Sequence, residues 1–293
     1  MLTFLIALLA AAFLWEVAAI KVNVRLSSPA RKRLFKIGGR FAVVALIIEF
    51  VESMAQQSSL SPIAYAAGHA LLMAAIPEEF IKFLAVSRFG KRELSEIGPG
   101  IAVLLAVGTS LGFGVLESQF YDSGGNTAQW ALHAFTALPM DAIFGFTMGG
   151  FMALAWRTPD RTDEKLLLLA LLVPMAFHFL FTFLLVLHQQ APDLVWPLIA
   201  LPVVMLLEGG VALILVNHAV NRQEAFGPER RPIDPAGRRA LQFAVISLVL
   251  TFTALGVAAA HPELRVLALC TALPLVFTLD LGLVAMARQK GLA

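Results

Sequence analysis

Glu78, Glu79 and Lys82 stand close together in an otherwise apolar run, Ile76-Pro77-Glu78-Glu79-Phe80-Ile81-Lys82. Later apolar stretches carry Glu117, His133, Asp141 and His178. Carboxylates and imidazoles activate water, relay protons or ligate metals. They can also do no more than pair and fix how helices register. An ionisable side chain at the centre of a bilayer costs roughly 2.5–3.5 kcal/mol on insertion scales. A whole set of them, kept at that cost, is therefore read first as functional.

The bilayer follows from composition. Of 293 residues, 59% are hydrophobic and only 14% charged, and mean hydropathy is +0.80. A soluble domain of this size carries about 25% charged residues. The apolar runs do not alternate with period two, which argues against a membrane barrel. The fold class expected is all-α, a polytopic transmembrane helix bundle. A net charge of +2 gives no reason to expect nucleic acid as a partner; membrane lipid is the expected surroundings. The single cysteine, Cys270, excludes an internal disulfide framework and a Cys-rich metal site.

Hydropathy and length predict about nine spans (eight or nine), near 2–20, 38–54, 70–88, 100–121, 131–156, 166–187, 194–216, 241–260 and 265–287. The second is interrupted by Glu49 and Glu52. No Lys or Arg precedes the apolar run Leu2–Val17, so the first span is read as an uncleaved helix. All but two of the 22 basic residues fall in alternate loops. The positive-inside rule then puts the N-terminus out and the C-terminus in. The two exceptions are Arg265 and Lys82, and Lys82, inside a span, needs a partner within the protein. Three segments are expected: 1–68, two spans with a basic cytoplasmic loop; 69–188, a four-helix core; and 189–293, three further spans.

Depth decides whether the polar groups meet. Glu78 and Lys82, four apart, share a helix face, whereas Glu79 is turned about 100° away. Pro77 lacks an N–H and frees a carbonyl one turn back, loosening the helix beside the acids. If the third span enters from outside near His69, Glu78 lies about 12–14 Å below the outer surface. Glu117, His133 and His178 then share its half of the bilayer, with Lys82 and Asp141 deeper. A start at Ser61 would instead carry Glu78 towards the cytoplasm; the polar stretch 56–62, with Pro62, favours the later entry. Gly108 and Gly112, and Gly145 and Gly149, are spaced for close helix packing. Glu49, Glu208, Asp280 and His218 are read as helix-end or inter-helix contacts, His69 and His188 as interfacial, and Trp130, Trp156 and Trp196 as interfacial anchors.

Glu78-Glu79-x-x-Lys82, then Phe113-x-x-x-Glu117, then His133 at the head of one helix and His178 in the next, resemble the PrsW family of intramembrane proteases, in the clan of the CAAX prenyl endopeptidases. The resemblance covers roughly residues 69–187. It implies a hydrolase acting on a membrane-tethered protein, with an anti-sigma factor as the family precedent. In the wider clan the last His is often followed one turn later by Asn or Asp; here that place holds Thr182, which supplies a hydroxyl but no amide.

Peptide hydrolysis needs an activated water and donors for the oxyanion. Glu78 is expected to be the base. Glu117 would hold the water or orient a histidine, and His133 and His178 would polarise the carbonyl or protonate the leaving amine. Glu79, Lys82, Asp141 and Thr182 are expected to orient and neutralise. The preferred chemistry uses no cofactor. The alternative is zinc on Glu78, Glu117, His133 and His178; no His-Glu-x-x-His is present. A proton- or ion-coupled transporter and an inactive scaffold of the same family are the competing functions. The polar set clusters in spans 3–6 without a counterpart in 7–9, which favours the enzyme. A single-pass membrane protein as substrate and a bacterial inner membrane as location complete the expectation.

Overall fold

The computed structural model describes residues 2–22, 28–55, 60–93, 100–122, 127–156 and 162–223. Among them all regular structure is helical: α1 (Leu2–Val22), α2 (Ser28–Ala55), α3 (Pro62–Gly68), a π-helical turn (His69–Ala75), α4 (Ile76–Glu93), α5 (Gly100–Asp122), α6 (Thr127–Ala155), α7 (Glu164–Gln190) and α8 (Trp196–Gln223). Helices occupy seven of the nine expected spans; the two expected after residue 240 lie outside the described residues. Among the described residues four stretches are long and apolar enough to cross a membrane: Gly100–Ser118, Leu138–Ala155, Glu164–Gln190 and Trp196–Ala219.

The third span differs from its expected boundaries. Helix begins at Pro62, not near His69, and Ser61 caps it, its Oγ accepting from the Ala64 N–H at 3.3 Å. Proline at the first helical position marks a start, because its missing N–H would have no intrahelical partner there. The run then continues to Glu93, which leaves Glu78 roughly midway along it. The expected 12–14 Å depth, tied to entry at His69, is lost with that boundary. The loosening expected from Pro77 takes the form of the π turn. Ile76 N–H bonds to Leu71 O, one residue wider than α-helical spacing, immediately before Pro77-Glu78-Glu79. Such turns inside α-helices often mark functional sites.

α5 is the central helix. Its window Gly100–Ser118 is 94% buried, and it packs against α1, α2, α4 and α6. Glycines let the backbones approach. A methyl group on Gly112 would stand 2.4 Å from the Phe35 carbonyl oxygen of α2, and one on Gly149 2.6 Å from Val103 Cα of α5. This is the close packing expected of those positions. α7 and α8 lie at the periphery, turning Leu172, Leu180, Val203 and Leu207 outward and burying Phe181, Leu184, Leu201 and Met205 against α6. Two polar residues read as interfacial or loop are buried. His188 hydrogen-bonds through Nδ1 to the Leu194 carbonyl across the α7–α8 turn, and Lys21 donates from α1 to Asn217 Oδ1 of α8.

Gly112→Ala is expected to lower stability by about 1–3 kcal/mol, since the new methyl meets fixed backbone. Gly68→Ala, at a helical position with open space around it, is expected to be neutral or stabilising by up to about 1 kcal/mol. Thermal melting of the two variants in detergent checks the pair.

Candidate active site

Helical pitch brings Glu78, Glu79 and Lys82 of α4 to the side that meets α6 and α7. Lys82 is fully buried. Its Nζ donates to Asp141 Oδ1 of α6 at 2.6 Å, to Glu79 Oε1 at 2.9 Å and to Glu78 Oε2 at 3.3 Å. The ammonium also sits 4.5 Å from the centroid of the Phe113 ring on α5 and 5.8 Å from that of Phe144 on α6, within the range of cation–π attraction. All three of its hydrogens have acceptors, which is what a lysine in a dry interior requires.

Gly114 makes room for this arrangement. A Cβ there would fall 2.2 Å from Asp141 Oδ2, so a side chain at 114 would push the carboxylate off Lys82. Pro139, two residues before Asp141, and Pro174, four before His178, repeat the relation of Pro77 to Glu78. Each of these helices lacks one backbone hydrogen bond near the residue it presents.

His178 of α7 completes the cluster. Its Nδ1 lies 2.9 Å from Glu79 Oε1, and its ring stacks on Phe144 with centroids 4.7 Å apart and planes 18° from parallel. A carboxylate acceptor makes Nδ1 the N–H donor, which leaves Nε2 of a neutral imidazole with its lone pair. Nε2 faces Glu78 Oε1 at 4.0 Å. That is too long for a hydrogen bond and is a separation that a shared water can bridge.

The two glutamates thus divide. Glu79, expected on a face away from Lys82, instead joins Lys82 to His178 from the middle of the cluster. Glu78 presents its second oxygen to the gap in front of Nε2. Glu117 of α5 is buried and is a charged neighbour of Glu78. Lys82 and Asp141 pair directly, as their similar depth suggested. Thr182, one turn beyond His178, is only half-buried, and none of the cluster's described hydrogen bonds involves it. His133 falls in the first part of α6, and its side chain lies outside the described residues. Phe144 and Gly114 went unnoticed in the sequence. Phe144 had a signal, since it lies one turn from Asp141 on the same face.

Whether this set suits a metal can be judged from its donors. Glu78, Glu79 and His178 each offer a ligand atom within 4.8 Å of the others. Glu79 Oε2 is buried with no hydrogen-bond partner among the described residues, and Glu78 Oε1 and His178 Nε2 already face each other. Two carboxylates and an imidazole match the ligand types of catalytic zinc sites, in which neighbouring ligand atoms stand about 3.4 Å apart. A closure of about half an ångström across the 4.0 Å gap would meet that distance, so the residues fit.

A polytopic helical protein with a buried carboxylate–ammonium–imidazole cluster, formed where α4, α6 and α7 meet, belongs to the class of integral membrane enzymes. The comparisons with known proteins narrow the class. The family model for the PrsW family intramembrane metalloprotease matches residues 5–207, and this chain belongs to that family. It is 28% identical over 158 residues to Protease PrsW of Shouchella clausii (strain KSM-K16), covering 52% of this chain and 68% of that protein. No solved structure matches. The chain is therefore an integral membrane peptidase that carries out intramembrane proteolysis.

Lys82→Met, which leaves three carboxylates without their shared cation, is expected to destabilise the protein by about 3–5 kcal/mol. Adding Asp141→Asn should recover part of that loss, because the two residues act as one unit. Arg31→Ala, which breaks the exposed 3.2 Å pair with Glu16, is expected to cost less than about 1 kcal/mol. Melting temperatures of the single and double variants measure each.

Proposed function

We propose that this peptidase hydrolyses a peptide bond of a membrane-tethered, single-pass protein, with Glu78 as the base that activates water. The observation carrying the proposal is the 4.0 Å gap between Glu78 Oε1 and His178 Nε2. Water in that gap would give a proton to Glu78 as its oxygen attacks the carbonyl carbon. When the C–N bond breaks, the same proton would pass, directly or through His178, to the leaving amine. Glu79 would keep the His178 ring in place through Nδ1, and Lys82 would hold both glutamates and Asp141 together. Glu117 would help hold the water. His133 is proposed as a donor to the oxyanion.

A second reading is favoured by the donor set and by the charge balance. Three carboxyl groups, Glu78, Glu79 and Asp141, share one ammonium. In a low-dielectric interior such an excess must be offset by bound protons or by a cation. A zinc ion would be held by Glu78, Glu79 and His178 Nε2 and would supply a more acidic bound water. In both readings Glu79 and Lys82 keep the same tasks.

Nine spans with the N-terminus outside, a bacterial inner membrane and an anti-sigma-factor-like regulator as substrate are part of the same proposal. They are supported by the distribution of basic residues and by the family. Membership of a protease family favours this reading over a transporter.

Glu78→Gln keeps shape and hydrogen-bonding capacity but removes the base. It is expected to lower cleavage of a co-expressed single-pass substrate by about 10²–10⁴-fold with an unchanged melting temperature; wild-type rates would refute Glu78 as the base. Dialysis against a chelator separates the two chemistries. Activity retained with little bound metal supports the base alone, and activity lost and restored by zinc supports the metal-held water.

A further inference from the structure

α8 buries a stripe of residues spaced three and four apart: Leu198, Leu201, Met205, Glu208, Ala212 and Val216. Five are apolar and the fourth is a glutamate. Glu208, read from sequence as a helix-end or inter-helix contact, lies mid-helix with no exposed surface. No hydrogen bond of normal distance and angle reaches either of its carboxylate oxygens from the described residues, and Thr147 Oγ1 of α6, its polar neighbour, makes at most a weak one to it. Its charged neighbours are Glu79 and Lys82 of the α4 cluster. Glu79 Oε2 and Asp141 Oδ2, in that cluster, and Ser110 Oγ of α5 are likewise buried without a partner. Buried polar atoms are nearly always hydrogen-bonded, to protein or to ordered water. Here six such atoms, contributed by α4, α5, α6 and α8, have no hydrogen bond of normal geometry among the described residues.

We propose that Glu208 and Thr147 hold buried water that reaches the Lys82 cluster, and that this store supplies the hydrolytic site. Each turnover consumes one water molecule, and the surrounding lipid contains none. A polar compartment behind the catalytic gap answers that need. A protein pocket that is polar and offers several partners keeps its water. Glu208 is thus a positioning residue: it touches neither substrate nor the reacting atoms, but fixes water that moves to Glu78 and His178. The inference rests on the peptidase reading, and its test has one arm that needs no substrate.

That arm is radiolytic hydroxyl-radical labelling in detergent. Met205 and Met148 are fully buried, so radicals formed in bulk solvent do not reach them, whereas radicals formed from water held at Glu208 and Thr147 do. Labelling of Met205 or Met148 in the wild type, lost in Glu208→Leu, is the expected result; absence of labelling in the wild type overturns the proposal whatever the activity.

In the second arm, Glu208→Leu is expected to melt at the same or a higher temperature, because it removes a buried polar group that lacks a hydrogen bond of normal geometry. Its kcat should nevertheless fall about tenfold or more, with KM unchanged. Glu208→Gln, which still hydrogen-bonds water, should keep most of the activity. Wild-type kcat in Glu208→Leu overturns the proposal, as does a fall in activity that only tracks a fall in melting temperature. If Glu208→Leu does not fold, the isosteric Thr147→Val takes its place in both arms with the same outcomes. A wild type that shows the buried labelling but cleaves no membrane-tethered protein overturns the peptidase reading and leaves the compartment standing.

Discussion

One ammonium group holds this site together. Lys82 is buried in a helix and bonds carboxylates from its own turn and from α6. Removing a charge from water costs several kcal/mol even after relaxation, and only close, saturated pairing recovers it. The pairing therefore constrains everything around it. α4 and α6 must keep the register that brings Asp141 to 2.6 Å, and α5 must stay slim at Gly114. Aromatic faces from α5 and α6 must flank the charge. A cluster of this kind is poor evidence for stability, but it admits very few arrangements of the helices that carry it.

The backbone has been adapted to that demand. A regular α-helix through Pro77 would place its ring against the carbonyl four residues earlier. The π turn over His69–Ala75 absorbs the mismatch and widens the helix just ahead of the two glutamates. Its neighbours concede space differently: α5 through glycine, α6 and α7 through prolines near Asp141 and His178. Close approach of α5 to α2 and α6 provides the rigid side of the bundle, and the functional groups gather where α4, α6 and α7 meet.

Much of this was legible in the sequence. Apolar runs of the right length predicted helices in all seven of the spans that fall within described residues, and small residues at four-residue spacing marked the tight contacts of α5. Lys82, an isolated cation in an apolar run, announced that it needed an internal partner, and Asp141 was expected at a similar depth. Three features were less legible, each for a physical reason. Pro62 looked like a break, because proline both starts and ends helices and only the cap by Ser61 tells which. Glu79 was turned away on an ideal helical wheel. The flexible lysine stem lets one Nζ serve residues three and four positions back. Glu208 was discounted as a lone acid, although the three- and four-residue spacing of its apolar neighbours already placed it on a buried face.

The adjacent glutamates illustrate why identical residues can hold different tasks. Glu79 Oε1 accepts from both Lys82 and His178, so its charge is committed and its position fixed. Among the described residues Glu78 has the longer bond to Lys82, and its other oxygen lies 4.0 Å from His178 Nε2. In the proposed chemistry a water molecule or a cation shared by these two atoms would stand where the substrate carbonyl is attacked. The proposal assigns the chemistry to the first glutamate because the second already bonds both the ring and the ammonium.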